Sequence, residues 1–139
     1  MVHDAQHVAD LLRAEGIQPS AQRVAVARYV LFTEDHPTAD EVWSEVRRDF
    51  PVISRATVYN TLNLFADKGL LQSHTFDEGA GVFDANTAPH HHFIDEETGR
   101  IVDIPIDRLR VSGIHELEGF DVDDFRIVLR GRLRGGDRS

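Results

Sequence analysis

The residues best suited to chemistry in this 139-residue chain are three adjacent histidines, His90, His91 and His92. In an extended strand side chains alternate between faces, so His90 and His92 share one face and His91 takes the other. Asp84 lies six residues before the triplet, and Asp103 follows it beyond a turn. Two imidazoles one strand-pitch apart, with carboxylates before and after, can chelate a divalent first-row metal. Nitrogen and oxygen donors of this kind suit Fe, Mn, Zn or Ni. Phe93-Ile94, the polar run from Asp95 to Gly99, and Arg100-Ile101-Val102-Asp103-Ile104 read as strand, turn and strand. With residues 95–98 as the loop, His90 is expected opposite Asp103, on the face it shares with His92. A solvated histidine run in a loop is the bland alternative, and it leaves the strand–turn–strand pattern unexplained.

The elements that must position these groups are punctuated clearly. Val8, Leu11 and Leu12 form a helical stripe that stops at Gly16, a residue suited to the left-handed position past a helix end. Pro19-Ser20 opens a second helix with apolar positions Val24, Ala27, Val30 and Leu31. Thr38-Ala39-Asp40-Glu41 is a capping box, in which the threonine accepts from an early amide and the glutamate reaches back. Behind it Val42, Trp43 and Val46 make the buried stripe of a third helix. Ser54 caps a fourth, running through Val58, Leu62 and Phe65 to Gly69. Residues 70–76 then read as a strand, 77–81 as a turn and Val82-Phe83 as the return strand. Helices followed by a hairpin are the layout of a winged helix-turn-helix, and a helical bundle with a loose hairpin is the alternative.

The fourth helix favours a nucleic-acid role. With Val58, Leu62 and Phe65 inward, Arg55, Tyr59, Asn60 and Asn63 point outward. They offer a cation for phosphate, an aromatic ring for a thymine methyl and amides able to read adenine. Ser54 and Thr57 supply small donors at the helix start, and Arg23 in the second helix joins the same candidate set.

These motifs resemble the ferric uptake regulator family. Residues 54–62, Ser-Arg-Ala-Thr-Val-Tyr-Asn-Thr-Leu, are similar to its recognition-helix signature. His36-Pro37-Thr38-Ala39-Asp40-Glu41-Val42 is similar to the entry of its third helix, and the His90-to-Asp103 segment to the start of its dimerisation domain. The resemblance spans nearly the whole chain. It implies an α+β protein with a winged-helix DNA-binding domain at 1–83 and a small α/β dimerisation and metal-sensing domain at 84–139. It also implies a homodimer on a palindromic double-stranded operator, and a hinge metal held by His36, Asp84, His90, His92 and Asp103. Fe(II) or Mn(II) suits that donor set, and Zn(II) can compete. A metal bound across a hinge can select one relative orientation of two recognition helices.

The chain departs from the family in two places. The family's structural zinc uses two Cys-x-x-Cys pairs; Asp95 and Thr98 stand at the first pair's positions and the second has no counterpart, so no four-cysteine zinc is expected. An additional histidine-rich site is also incomplete, because Pro89 precedes the triplet and the final strand offers Phe125 where a histidine is often found. One regulatory site is therefore expected. Asp103 in place of glutamate is similar to the peroxide-sensing branch, in which bound Fe(II) and hydrogen peroxide lead to oxidation of a ligand histidine, here His36 or His90. The histidine run and the lack of cysteine pairs are also similar to the haem-responsive iron regulators, with His91 as the candidate haem contact. Their cysteine-proline motif is absent.

Composition narrows the remaining classes. No apolar run reaches membrane-spanning length, and the first residues lack the layout of a signal peptide, so a cytoplasmic location is expected. Without cysteine, intrachain disulfides and zinc–thiolate sites are excluded. The net charge of −9 is spread as −5 over 1–83 and −4 over 84–139. Bulk charge thus argues mildly against nucleic acid, although phosphate contacts need only local arginines and helix N-termini. The end of the chain is locally basic, with Arg126, Arg130, Arg132, Arg134 and Arg138, and suits a solubilising tail. A His/Asp metalloenzyme is the alternative from another class. Against it, no His-Glu-x-x-His pattern is present, and the winged-helix features would be idle. A purely structural dimer with a metal staple would likewise leave the Arg55–Asn63 face without a task.

Overall fold

The computed structural model describes residues 4–76 and 80–135. Residues 77–79 of the expected 77–81 turn, and Arg138, lie outside them. The chain divides after Thr87 into two compact units. The sequence reading placed that boundary after residue 83; here Asp84 is the last residue of the first unit's hairpin.

The first unit contains helices α1 (Ala5–Ala14), α2 (Ala21–Val30), α3 (Ala39–Val46) and α4 (Arg55–Asp67), followed by strands β1 (Gln72–His74) and β2 (Val82–Asp84). Each helix begins with a side chain satisfying an amide that has no helical partner. Asp4, Ser20, Thr38 and Ser54 accept from His7, Arg23, Glu41 and Thr57. At Thr38 the Glu41 carboxylate returns a bond to the cap amide, completing the box. α1 and α4 both end in a Schellman turn. Ile17 N–H donates to Leu12 and Leu70 N–H to Phe65, with Gly16 and Gly69 at φ 76° and 79°, where a side chain would be strained.

Val8, Leu12, Val26, Val30, Val42, Val58, Leu62 and Phe65 have no exposed surface and form the core of this unit. In α2 the buried set is Val26, Ala27 and Val30, while Val24 and Leu31 are only half-buried. The expected stripe missed Val26 because α2 packs against α1, α3 and α4, which buries more than one face. The strand expected over 70–76 shortens to Gln72–His74 because Leu71 turns into the core.

The second unit is a three-stranded sheet of β3 (His90–Asp95), β4 (Ile101–Pro105) and β5 (Val128–Gly131), in the order β4-β3-β5. β3 pairs antiparallel with β4 and parallel with β5. Its helical content among the described residues is two single 3-10 turns, Ile106–Arg108 and Ile114–Glu116, on the crossover to β5. Phe125 precedes the final strand and is not part of it.

One register expectation is corrected. His92, not His90, lies opposite Asp103, and His90 faces Pro105. The turn takes up two more residues than expected. Asp95 is still strand, its carboxylate accepts the Glu97 amide at 2.9 Å, and Gly99 N–H returns to its carbonyl at 2.7 Å. A two-residue slip preserves facing, so His92 and Asp103 keep the same side. Asp95 itself is fully buried. Burial pushes its carboxyl up, but the amides of Glu97, Thr98 and Leu133 and the Thr98 hydroxyl outweigh that and hold it below the ordinary range. No helix among the described residues is long and apolar enough to cross a membrane.

Candidate metal centre and nucleic-acid interface

In the first unit, Thr38 forms an antiparallel bridge with Val82, and Phe83 N–H donates to the Pro37 carbonyl at 2.9 Å. Continuing that register by two residues sets His36 opposite Asp84. His36 Nε2 lies 3.3 Å from Asp84 Oδ2, with both side chains nearly fully buried. Asp84 Oδ1 accepts the Asn86 amide at 2.9 Å, which turns Oδ2 toward the histidine. His74 Nε2 approaches the same Oδ2 at 3.6 Å. Gln72 pairs with Asp84 and His74 with Val82, so His74 and Asp84 are diagonal neighbours on one face. Sequence reasoning missed His74. The available signal was parity across the hairpin, but using it required the hairpin register.

In the second unit the same arrangement recurs. His90 and His92 place Nε2 atoms 3.3 Å and 3.7 Å from one oxygen, Asp103 Oδ1. Their rings meet edge-on, with centroids 4.5 Å apart. His90 Nδ1 contacts the Ala88 carbonyl, which requires a proton on Nδ1. In a neutral ring that leaves the Nε2 lone pair aimed at a carboxylate. Only a cation between them, a proton or a metal ion, turns this facing pair into an attraction.

His91 occupies the opposite face, as alternation requires. Its Nδ1 accepts the Ile127 amide at 3.1 Å, and its ring stacks on Phe125 at 5.9 Å. Burial, then the Arg126 charge, then His90 and His92 lower its pKa, so the ring is held neutral. His91 is 1% exposed, and one of its ring nitrogens is engaged with the Ile127 amide.

Each unit thus brings two imidazole nitrogens to one carboxylate oxygen, and all six side chains are among the His/Asp residues that could hold a metal ion. An ion about 2.1 Å from every donor sets adjacent donors roughly 3.0–3.4 Å apart. The observed 3.3–3.7 Å separations between each histidine nitrogen and its carboxylate oxygen fit after contraction by a few tenths of an ångström. The donors are nitrogen and oxygen only, which favours Fe(II), Mn(II) or Zn(II) over metals that prefer thiolate.

The outer face of α4 carries the residues singled out for DNA. Tyr59 is 42% exposed, and Asn60 and Asn63 are also exposed. Arg55 pairs with Asp40 at 3.3 Å and lies 4.7 Å over the Trp43 ring, while the Tyr59 hydroxyl bonds the same Asp40 oxygen. Asp40, at the start of α3, therefore aligns both groups. Ser54 serves as the helix cap: its Oγ accepts the Thr57 amide and donates to the Thr57 hydroxyl. Arg23 donates to the Gln18 carbonyl at 2.9 Å. With Gln18, Ser20, Thr57 and Asn60 it lines an open polar groove of about 530 Å³.

Comparison with known proteins matches residues 14–130 to the model of the Ferric uptake regulator family. The peroxide-responsive repressor PerR of Staphylococcus aureus (strain Mu50 / ATCC 700699) is 37% identical over 131 residues, covering 93% of this chain and 88% of that protein. Among solved structures, a zinc-bound manganese uptake regulator is 29% identical with a TM-score of 0.69, covering 91% of this chain and 98% of the other. The ferric uptake regulator from Pseudomonas aeruginosa with manganese is 27% identical with a TM-score of 0.67, covering 92% and 98%.

Proposed function

The chain belongs to the ferric uptake regulator family of metal-responsive transcriptional regulators, which are not enzymes, and from that premise we propose that it is a metal-dependent DNA-binding repressor. Its regulatory ion is Fe(II) or Mn(II), with Zn(II) able to compete, held by His36 and Asp84 from the first unit and His90, His92 and Asp103 from the second. The observation that carries this reading is that imidazole nitrogens face a carboxylate oxygen in each unit, His36 on Asp84 and His90 and His92 on Asp103. When bound, the ion supplies a positive charge that five donors can share only in one relative arrangement of the units. Residues of this chain do the rest. His90 is oriented by Ala88 and Asp84 by Asn86, while the α4 face presents Arg55, Tyr59 and Asn60 to the duplex, with Arg23, Ser54 and Thr57 beside it. Differential affinity of the ion for the DNA-competent arrangement is what makes it a switch.

The second unit supports a homodimer on a palindromic operator. Leu117 and Phe120 are 53% and 68% exposed, and Val128 and Leu129 of β5 also show apolar surface that a second copy would cover. A cytoplasmic location goes with this role. Similarity to a peroxide-responsive repressor favours hydrogen peroxide as the signal. Peroxide added to the iron-loaded protein should then leave one oxygen atom on a peptide containing His36 or His90, and the manganese-loaded protein should stay unmodified. No observation favours the haem reading, since His91 is taken up in packing.

The joint site is tested by His36→Ala and His90→Ala. Each should weaken Mn(II) binding measured by calorimetry. Loss in only one of the two variants would contradict a site drawn from both units.

A further inference from the structure

We infer that His74, on the wing strand β1, is a metal ligand, so that the first unit holds a three-donor site of its own: His36, His74 and Asp84. This rests on the metal-switch reading above and deepens it.

The geometry is local to one hairpin and its flanking segment. Asp84 Oδ2 is the meeting point, 3.3 Å from His36 Nε2 and 3.6 Å from His74 Nε2. Three pieces of backbone converge there: the residue 36–38 segment bridged to β2, β2 itself, and β1 paired to its other side. Each fixes its residue by register, so no long flexible side chain has to be ordered. The His74 ring is held by stacking on Phe76, with centroids 5.7 Å apart. Its side chain is 19% exposed and those of its two companions 3–4%, so the three donors are largely withdrawn from water and His74 is the one partly open to it. Two histidines and one carboxylate on one side of an ion leave the opposite positions open, the arrangement found in non-haem Fe(II) sites. The donors of the second unit would then complete a metal already seated on the DNA-binding unit, instead of forming the site from nothing. A divalent first-row ion without thiolate preference is the chemical class this triad takes.

Co(II) is the probe, because its d–d absorption reports the number and kind of donors. In the full-length protein, the triple variant His90→Ala/His92→Ala/Asp103→Ala should still bind one Co(II), with a weaker affinity and an altered spectrum. Adding His74→Gln to it should abolish that binding. His74→Gln alone should weaken Co(II) by about 10-fold or more, the scale on which even residues that only orient ligands are felt. The unmodified protein gives a check that does not depend on any variant folding. Co(II) should shift the His74 ring resonances as strongly as those of His36. If the His74 ring stays at its metal-free position while His36 shifts, the inference fails and the five-ligand switch survives. Failure of the wild-type protein to bind Co(II) at all would overturn the switch as well.

Discussion

Asp103→Asn removes one charge and almost nothing else. The carboxamide keeps the shape of the side chain, but the oxygen that His90 and His92 face at 3.3 Å and 3.7 Å loses its negative charge. Residues that merely orient a metal ligand already cost about 10- to 100-fold in affinity when replaced. Asp103 is the one carboxylate proposed as a donor in its unit and its side chain is only 28% exposed, so solvent replaces little of what is lost. A loss of about 100-fold, or roughly 2.7 kcal/mol, is therefore the expected floor. Linkage then makes a sharper statement than the affinity alone. In a fluorescence anisotropy titration of labelled operator at fixed protein, the Mn(II) concentration at half-maximal binding should rise by that same factor. Operator affinity at saturating Mn(II) should stay near wild type, because no DNA-facing group has changed. A midpoint that does not move would refute the assignment of Asp103. A normal midpoint with a lowered plateau would show that Asp103 acts on DNA by some other route.

Other perturbations separate the layers of the account. Arg55→Ala should lower operator affinity without moving the Mn(II) midpoint, and should reduce the slope of log affinity against log salt by about one if the guanidinium meets a phosphate. Thr38→Ala should cost about 1 kcal/mol in urea unfolding through loss of the capping box. It should also weaken metal binding, because Thr38 anchors the bridge that sets His36 opposite Asp84, and Thr38→Ser should restore both. Phe65→Ala opens a fully buried position and should destabilise the first unit by about 3–5 kcal/mol, measured by denaturant unfolding. Asp95 gives a pH signature. Its folded pKa lies below the ordinary value, so its stabilisation is present at neutral pH and is lost as pH falls through that depressed value. Thermal unfolding of Asp95→Asn should accordingly show a flatter acid limb than wild type.

Much of this structure was legible because local chemistry decided it. Ser20, Thr38 and Ser54 are cap residues by type and act as caps, and Gly16 and Gly69 close their helices in the one backbone region that disfavours other residues. Alternation alone put His90 and His92 on one face and His91 on the other. Register was harder, since it depends on how many residues a turn consumes. The hydrogen bond from the Glu97 amide to the Asp95 carboxylate extended the β3–β4 turn and moved Asp103 opposite His92. His74 stayed hidden for the same reason, because its approach to Asp84 exists only through the pairing of two three-residue strands. The surroundings of His91 were not legible for the same reason: the hydrogen bond it accepts comes from Ile127, 36 residues away.

The most direct measurement is operator affinity of the same full-length preparation, first stripped by chelator and then reloaded with Mn(II). Reloading should raise the affinity at least tenfold, and adding chelator again should abolish the gain. Equal affinity in the two states would mean that ion occupancy does not govern DNA binding.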